Sequence, residues 1–353
     1  MNRFKKLKFP KNADAVLITS DINRRYFTGM KSSAGFVIAF PEKAYLIIDF
    51  RYIEKAKKTA RNCEVIEQNV IVEQITELMR KHKAKKLAIE SMDLTIHRLE
   101  IFKSKMPEIE FITTDELSNA IYDIRSVKTE DEIEKIQKAQ KIAEKAFENI
   151  LGFICPGVTE REIALRLDSF MLENGAEALS FETIALAGTN TSMPHGVPSD
   201  NKVQSGDFVL MDFGAVYEGY HSDMTRTVCV GQPNDKMKKV YNIVLEAQMK
   251  ALETVKSGII GSDLDKIARD YIENNGYGDT FGHSLGHGVG MEIHEYPNAS
   301  SKSKTVFEPN MVVTIEPGIY IPEEFGVRIE DFVVVTEKSC LNLTKCPKKM
   351  IIL

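Results

Sequence analysis

Four acidic residues fall into two matched pairs, Asp212 with Asp223 and Glu316 with Glu330. Five of the chain's seven histidines (His195, His221, His283, His287 and His294) lie around them in sequence. Asp212 sits in FVLMDFGA and Asp223 in SDMTRTVCV, two β-rich runs separated by VYEGYH. A hairpin folded about Tyr217 and Glu218 places the two aspartates opposite each other. Glu316 in VVTIEPGIY and Glu330 in VRIEDFVVV flank a turn-like stretch, and an antiparallel fold about Glu323 opposes this pair in the same way. Carboxylates held that close repel unless something neutralises them. Two divalent cations bring four positive charges to four negative ones, so the residue types point to a two-metal hydrolytic site.

The histidines refine this. His283 and His287 are four apart, as in a zincin helix, but Ser284 follows His283, and Gly282, Gly286, Gly288 and Gly290 disfavour a helix. HExxH chemistry is excluded. His287 lies instead in a glycine-rich GHGVG stretch where an imidazole can come close to a ligand. One nitrogen and four carboxylates make a mostly hard donor set, suited to Mn(II), Fe(II), Co(II) or Zn(II) and most compatible with Mn(II) or Co(II). GHGVGMEI is not a dinucleotide-binding GxGxxG, and Asp212-Phe213-Gly214 is not a kinase DFG, because no HRD or phosphate loop precedes it.

The elements that must position these residues can be read coarsely. The chain has 353 residues, 43% of them hydrophobic, enough for two globular domains of roughly 150 residues. A net charge of -5 with dispersed cations gives no case for nucleic acid or an anionic membrane. KHKAKK reads as a solvated helix end. No apolar run approaches a membrane span and MNRFKKLKF lacks a signal-peptide core, so a cytoplasmic protein is expected. Five scattered cysteines without CxxC spacing read as reduced thiols. Over the first ~120 residues AVLIT, GFVIAF, AYLIIDF, CEVIE and KLAIE read as strands. RYIEKAKKTA, VEQITELMRKHK and the stretch near TIHRLEIFKSKM read as helices, so this part is an α/β domain. A long amphipathic helix, opened by Thr129 and Glu132 in capping-box spacing, then begins a second domain; the boundary falls between 124 and 125.

That second domain contains an echo. GVTEREIALRLDSFMLENG (157–175) and GIIGSDLDKIARDYIENNG (258–276) align without gaps at an offset of 101, each a turn, a helix and a glycine cap. Asp212 lies 37 residues past Gly175 and Glu316 lies 40 past Gly276. The two carboxylate hairpins therefore occupy corresponding places, and the acids are expected to face one another across a pseudo-twofold axis.

MDFG, HSDMTRT, HSLGHGVGMEIHE, TIEPGIY and VRIEDFVVV, in this order and spacing, resemble the pita-bread metallopeptidases, specifically the prolidase and aminopeptidase P branch. The resemblance covers residues 125–353, and SDINRRYFTG extends it more weakly to a creatinase-type N-terminal domain at 1–124. It implies an α+β protein: a creatinase-type α/β domain, then a pseudo-twofold pita-bread catalytic domain. It further implies that Asp212, Asp223, His287, Glu316 and Glu330 bind two metals, with Asp223 and Glu330 touching both. Such a pair activates a water and polarises the scissile carbonyl. The resemblance assigns proton handling mainly to Glu316 and substrate or oxyanion contacts to His195 and His294, counts His283 and Arg328 with the catalytic residues, Arg328 standing behind the ligands, and makes Tyr320 a substrate-binding residue.

Proline preference comes from the resemblance alone. Archaeal-type prolidases carry an arginine after the His-Glu-aromatic-Pro stretch; here Asn298 stands in that place. The expected reaction is cleavage of Xaa-Pro bonds as an Xaa-Pro aminopeptidase, with a strict Xaa-Pro dipeptidase as the alternative. The expected partners are proline-containing peptides or dipeptides and a second copy of the chain, whose N-terminal domain would border the site. A methionine aminopeptidase would share the ligands but lack the N-terminal domain. A non-catalytic pita-bread binding protein is expected to have lost ligands, and all five are present; hydrolysis of a non-peptide amide is a further alternative.

Overall fold

Runs of consecutive apolar residues in the first third of the chain form strands buried along their whole length, as strands covered on both faces must be. In the computed structural model, which describes residues 2–353, these are β1 (Ala15–Ile18), β2 (Phe36–Ala39) and β3 (Ala44–Ile48), flanked by the less buried β4 (Glu64–Glu67), β5 (Lys86–Ile89) and β6 (Glu110–Ile112). They form one mixed sheet of order β4-β3-β2-β1-β5-β6, parallel at β3/β4, β1/β5 and β5/β6. Between them run α1 (Asp21–Thr28), α2 (Phe50–Thr59), α3 (Ile71–Lys81) and α4 (Ile96–Lys105), followed by α5 (Glu116–Ser126). The basic run KHKAKK covers the end of α3 and the entry to β5. Three elements escape the sequence pattern. β6 is only three residues long, α5 buries Ser118 and Arg125 beside Leu117 and Ile121, and α1 buries Asn23 and Arg24 beside its aromatics.

Contacts divide the chain into one unit ending at Arg125 and another beginning at Ser126. The second opens with α6 (Glu130–Ile150), where Thr129 N donates to Glu132 Oε2 at 2.7 Å and Glu132 N to Thr129 Oγ1 at 3.4 Å, completing the capping box. It continues with α7 (Glu160–Glu173), α8 (Asp235–Thr254) and α9 (Gly261–Asn274). α7 and α9 have 14 residues each, at the 101-residue offset, and each ends before a left-handed glycine, Gly175 (φ 97°) and Gly276 (φ 87°).

The strands are β7 (Ala178–Leu179), β8 (Ile184–Ala187), β9 (Phe208–Phe213), β10 (Ala215–Tyr217), β11 (Tyr220–His221) and β12 (Met224–Cys229) in the first half. The second half has β13 (Gly286–Gly288), β14 (Glu295–Ala299), β15 (Val312–Ile315), β16 (Gly318–Ile321), β17 (Phe325–Arg328), β18 (Asp331–Val335) and β19 (Cys340–Asn342). Their principal sheets are β12-β9-β8 and β14-β13-β15-β18-β19. Each half has its own apolar core. One joins α6 and α7 to β8, β9 and β12, through residues such as Phe147, Leu167 and Val209; the other joins α8 and α9 to β15 and β18, through Val244, Leu264 and Val313. No described helix is long and apolar enough to cross a membrane.

Candidate metal centre

β9 and β12 pair antiparallel with Asp212 opposite Thr225, not opposite Asp223 as the hairpin about Tyr217 and Glu218 would have it. The turn residues are Glu218 and Gly219, both at positive φ (48° and 85°), between paired Tyr217 and Tyr220. A tight hairpin of right-handed twist needs two such residues, and Glu218-Gly219 meets the need better than Tyr217-Glu218, which moves the register by two. Asp223 still shares a face with Thr225, so the aspartates are diagonal neighbours. In the other half, Ile315 faces Asp331 and Gly318 faces Arg328, so Glu316 and Glu330 lie in register between these pairs, about a turn centred on Glu323 (φ 62°).

His287 lies on β13, a strand as the glycines require. A Cβ on Gly286 would come 1.9 Å from the Thr314 carbonyl oxygen, and one on Gly290 would come 2.0 Å from Glu295 Oε1. These glycines let β13 and the residues after it pack closely against β15 and β14, which aims His287 at the acids. His287 Nδ1 donates to the Gly288 carbonyl at 3.1 Å, which leaves the Nε2 lone pair 3.5 Å from Asp223 Oδ2 and 3.4 Å from Glu316 Oε1. This is the tautomer a metal-binding imidazole needs.

Ligand atoms of Asp223, His287 and Glu330 all lie within 4.8 Å of one another. Glu330 Oε2 accepts from Thr225 Oγ1 at 2.7 Å, Glu316 Oε1 from Thr314 Oγ1 at 3.0 Å and Asp212 Oδ2 from Arg328 Nη2 at 2.6 Å. Asp212 Oδ1 and Glu330 Oε1 are buried without a hydrogen-bond partner. Orphaned buried carboxylate oxygens are costly. Burial, then the neighbouring Asp212 and Glu316, pushes the Asp223 carboxyl well above its ordinary range; burial, then Asp223, does the same to Glu330. Burial also drives Glu316 to about 8, against the pull of Arg328. Four acids facing a neutral imidazole and one guanidinium are short of positive charge, and divalent cations fit both the excess and the orphaned oxygens.

Arg328, 3% exposed, donates from Nη2 to Asp212, from Nη1 to Tyr320 Oη at 2.7 Å and from Nε to Thr225 Oγ1 at 3.1 Å. Tyr320 Oη also bonds His283 Nε2 at 2.9 Å, while His283 Nδ1 bonds the Ser284 carbonyl at 2.9 Å. Since Nδ1 must donate to a carbonyl, Nε2 accepts from the tyrosine hydroxyl. Burial, then Arg328, lowers the His283 pKa to about 4, so this imidazole is neutral. The His294 ring lies 4.3 Å from the His287 ring, centroid to centroid. Exposed His195 belongs to the same cluster, since its charge is among the causes that lower both His283 and His294. His221 Nδ1 bonds Ser180 Oγ at 2.8 Å, and His82 stacks on Phe40 in the N-terminal unit at 3.9 Å. Thr225 and Thr314, which orient Glu330 and Glu316, were missed in the sequence. Each sits two residues from an acid in a strand, and that period of two was the available signal.

The chain matches the model of "Metallopeptidase family M24" over residues 134–337 and that of "Creatinase/Prolidase N-terminal domain" over residues 2–127. An Xaa-Pro dipeptidase of Pyrococcus horikoshii is 43% identical, the alignment covering 96% of this chain and 94% of that protein. Among solved structures, an Xaa-Pro dipeptidase from Bacillus anthracis superposes with a TM-score of 0.93 at 44% identity, covering 97% of this chain and 95% of the other. An X-Pro aminopeptidase from Thermotoga maritima gives 0.92 at 38% identity, with coverage of 97% and 98%. With acids and imidazole gathered on paired sheets and both halves matched, the chain belongs to metallopeptidase family M24, a creatinase-type N-terminal domain preceding a pita-bread peptidase domain.

Proposed function

We propose that this protein hydrolyses Xaa-Pro peptide bonds with two divalent cations held by Asp212, Asp223, His287, Glu316 and Glu330, Asp223 and Glu330 being shared between them. The observation that carries the metal reading is the set of buried carboxylates with orphaned Asp212 Oδ1 and Glu330 Oε1. Mn(II) or Co(II) suits this hard donor set best. The chemistry supplied by a bound cation pair is Lewis-acid polarisation of the scissile carbonyl and acidification of the attacking water.

The chain's own residues do the rest. Thr314 fixes Glu316 through Oε1, leaving Oε2 as the atom that takes a proton from the attacking water and passes it toward the leaving amine. His195 and His294 contact the substrate and donate to the oxygen that gains charge in the transition state; partial burial, then His287, holds His294 below the ordinary imidazole range and so in the neutral donor form. Arg328 holds Asp212 and, through Tyr320, the ring of His283. The preference for proline, a residue without N–H and with a fixed φ, rests on the Xaa-Pro specificities of the relatives.

For substrate length, the aminopeptidase reading rests on Asn298. It stands directly opposite His287 across the β13/β14 ladder and offers only a neutral amide. A free carboxylate next to proline would need a cation or several donors to offset its desolvation. The names of the Pyrococcus and Bacillus relatives favour a second reading, a strict dipeptidase. After reconstitution with Mn(II), Xaa-Pro-Yaa tripeptides are expected to be cleaved at least as efficiently as Xaa-Pro. A kcat/KM favouring the dipeptide by more than about tenfold, ~1.4 kcal/mol of transition-state binding, would return the protein to the strict dipeptidases. In that case Asn298→Arg would be expected to strengthen the dipeptide preference further. A homodimer in the cytoplasm completes the proposal; sedimentation and cell fractionation test those parts.

A further inference from the structure

The segment from Ala187 to Asn201 carries His195 and has little regular structure beyond the short 3-10 turn Gly188–Ser192. Such a stretch holds one course only where its backbone is tied down. Both of its ends are tied to one carboxylate. Glu160, the first residue of α7 and 0% exposed, accepts at Oε1 from Ala187 N at 2.8 Å, Asn190 Nδ2 at 2.9 Å and Asn201 Nδ2 at 3.1 Å. At Oε2 it accepts from Ser199 N at 3.0 Å and Ser199 Oγ at 2.6 Å. The backbone amides of Glu160 and Arg161 add bonds to the carbonyls of Asn201 and Ser199, both at 3.0 Å. From the opposite side, Gly326 N donates to Thr191 Oγ1 at 2.8 Å, and Arg328 Nη1 approaches the Pro194 carbonyl at 3.4 Å.

We propose that Glu160 is a positioning residue for peptide hydrolysis: by gathering residues 187, 190, 199 and 201 around one buried carboxylate, it sets where His195 stands relative to the carboxylates. This rests on the reading of His195 as a residue that contacts substrate; Glu160 itself touches none. Burial pushes the Glu160 carboxyl up, but the bonds from Ser199, Ala187, Asn201 and Asn190 outweigh it and hold the group below its ordinary range. It is therefore a carboxylate at neutral pH, and its five bonds are of the stronger, charge-assisted kind. Glutamine keeps the shape but turns one oxygen into a donor facing other donors, which opens the clamp on one side.

The test is a double-mutant cycle on the Mn(II)-reconstituted enzyme: parent, Glu160→Gln, His195→Ala and the double variant, each assayed for kcat/KM on an Xaa-Pro peptide and for bound metal. Glu160→Gln is expected to keep the parent's metal content and lose on the order of tenfold in kcat/KM, the scale set by a small misplacement of a catalytic group. In the His195→Ala background the same change should cost less than twofold. Ser199→Ala, which leaves the carboxylate intact and removes one donor, should show a smaller loss with the same dependence on His195, and it serves if Glu160→Gln folds poorly. A full Glu160→Gln or Ser199→Ala loss in the His195→Ala background would overturn the role of Glu160 alone. A His195→Ala enzyme as fast as the parent would overturn the reading of His195 and this role with it.

Discussion

At His287 one hydrogen bond decides the chemistry: Nδ1 is committed to the Gly288 carbonyl, so Nε2 can only accept, and it faces Asp223 and Glu316. Burial favours the protonated forms of Asp223, Glu316 and Glu330 while no cation is bound. Burial raises Asp223, Glu316 and Glu330, Glu316 to about 8, against about 4 in an unfolded chain. A raised carboxyl contributes stability that is fully present below the unfolded value and is lost as pH rises through the folded one. The metal-free protein should therefore lose stability between about pH 4 and 8, whereas a cation displaces these protons and removes that dependence. The rise in melting temperature on adding Mn(II) is expected to be larger at pH 8 than at pH 6; equal rises would contradict the proton-holding role of these acids. His195 and His294 predict the reverse of a ligand phenotype. Their alanine variants should keep two metals per chain and lose about 10²-fold in kcat/KM; loss of metal, measured by elemental analysis, would make them structural instead.

At the scale of elements, strand register is what the sequence conveys least evenly. The Glu316/Glu330 hairpin could be read because the intervening residues centre on Glu323 and the flanking strands, though short, are largely apolar. Its partner slipped by two because the choice between turns starting at Tyr217 or at Glu218 hinges on which residues accept positive φ, and Gly219 decides it. The paired helices α7 and α9 were legible through their caps and period. Thr225, Thr314 and Glu160 were not, since each acts through one oxygen aimed by the tertiary fold. The same holds for Arg226 and Asp331, a buried pair at 2.7 Å behind Glu330. Arg226 also donates to the carbonyls of Cys346 and Pro347, both at 2.9 Å, and Asp331 accepts from Asn342 Nδ2 at 2.6 Å, tying the C-terminal segment to the site sheet. Asp331→Ala strands a buried guanidinium. It is expected to cost about 3–5 kcal/mol and to lower the melting point of the metal-free protein by on the order of 10 °C; a shift within 2 °C, about what 1 kcal/mol produces in a unit of this size, would show the pair to be dispensable.

At the scale of the molecule, the two halves of the second unit each bring an acid hairpin to one centre, and this is why motifs about a hundred residues apart can serve one reaction. Asn298 stands opposite His287, and the proposed preference for substrates longer than a dipeptide rests on it. Substrate length depends on that single position, whereas the proposed hydrolysis depends on cations held by five residues. The most direct measurement is the hydrolysis of an Xaa-Pro peptide by parent and Asp223→Ala protein, each stripped with chelator and titrated with Mn(II) while bound metal is counted. The parent should be inactive when stripped and reach full turnover near two ions per chain, and Asp223→Ala should stay folded, bind neither ion and remain inactive. Full turnover by the stripped parent, or two tightly held ions in Asp223→Ala, would rule out a hydrolytic metal pair shared by Asp223.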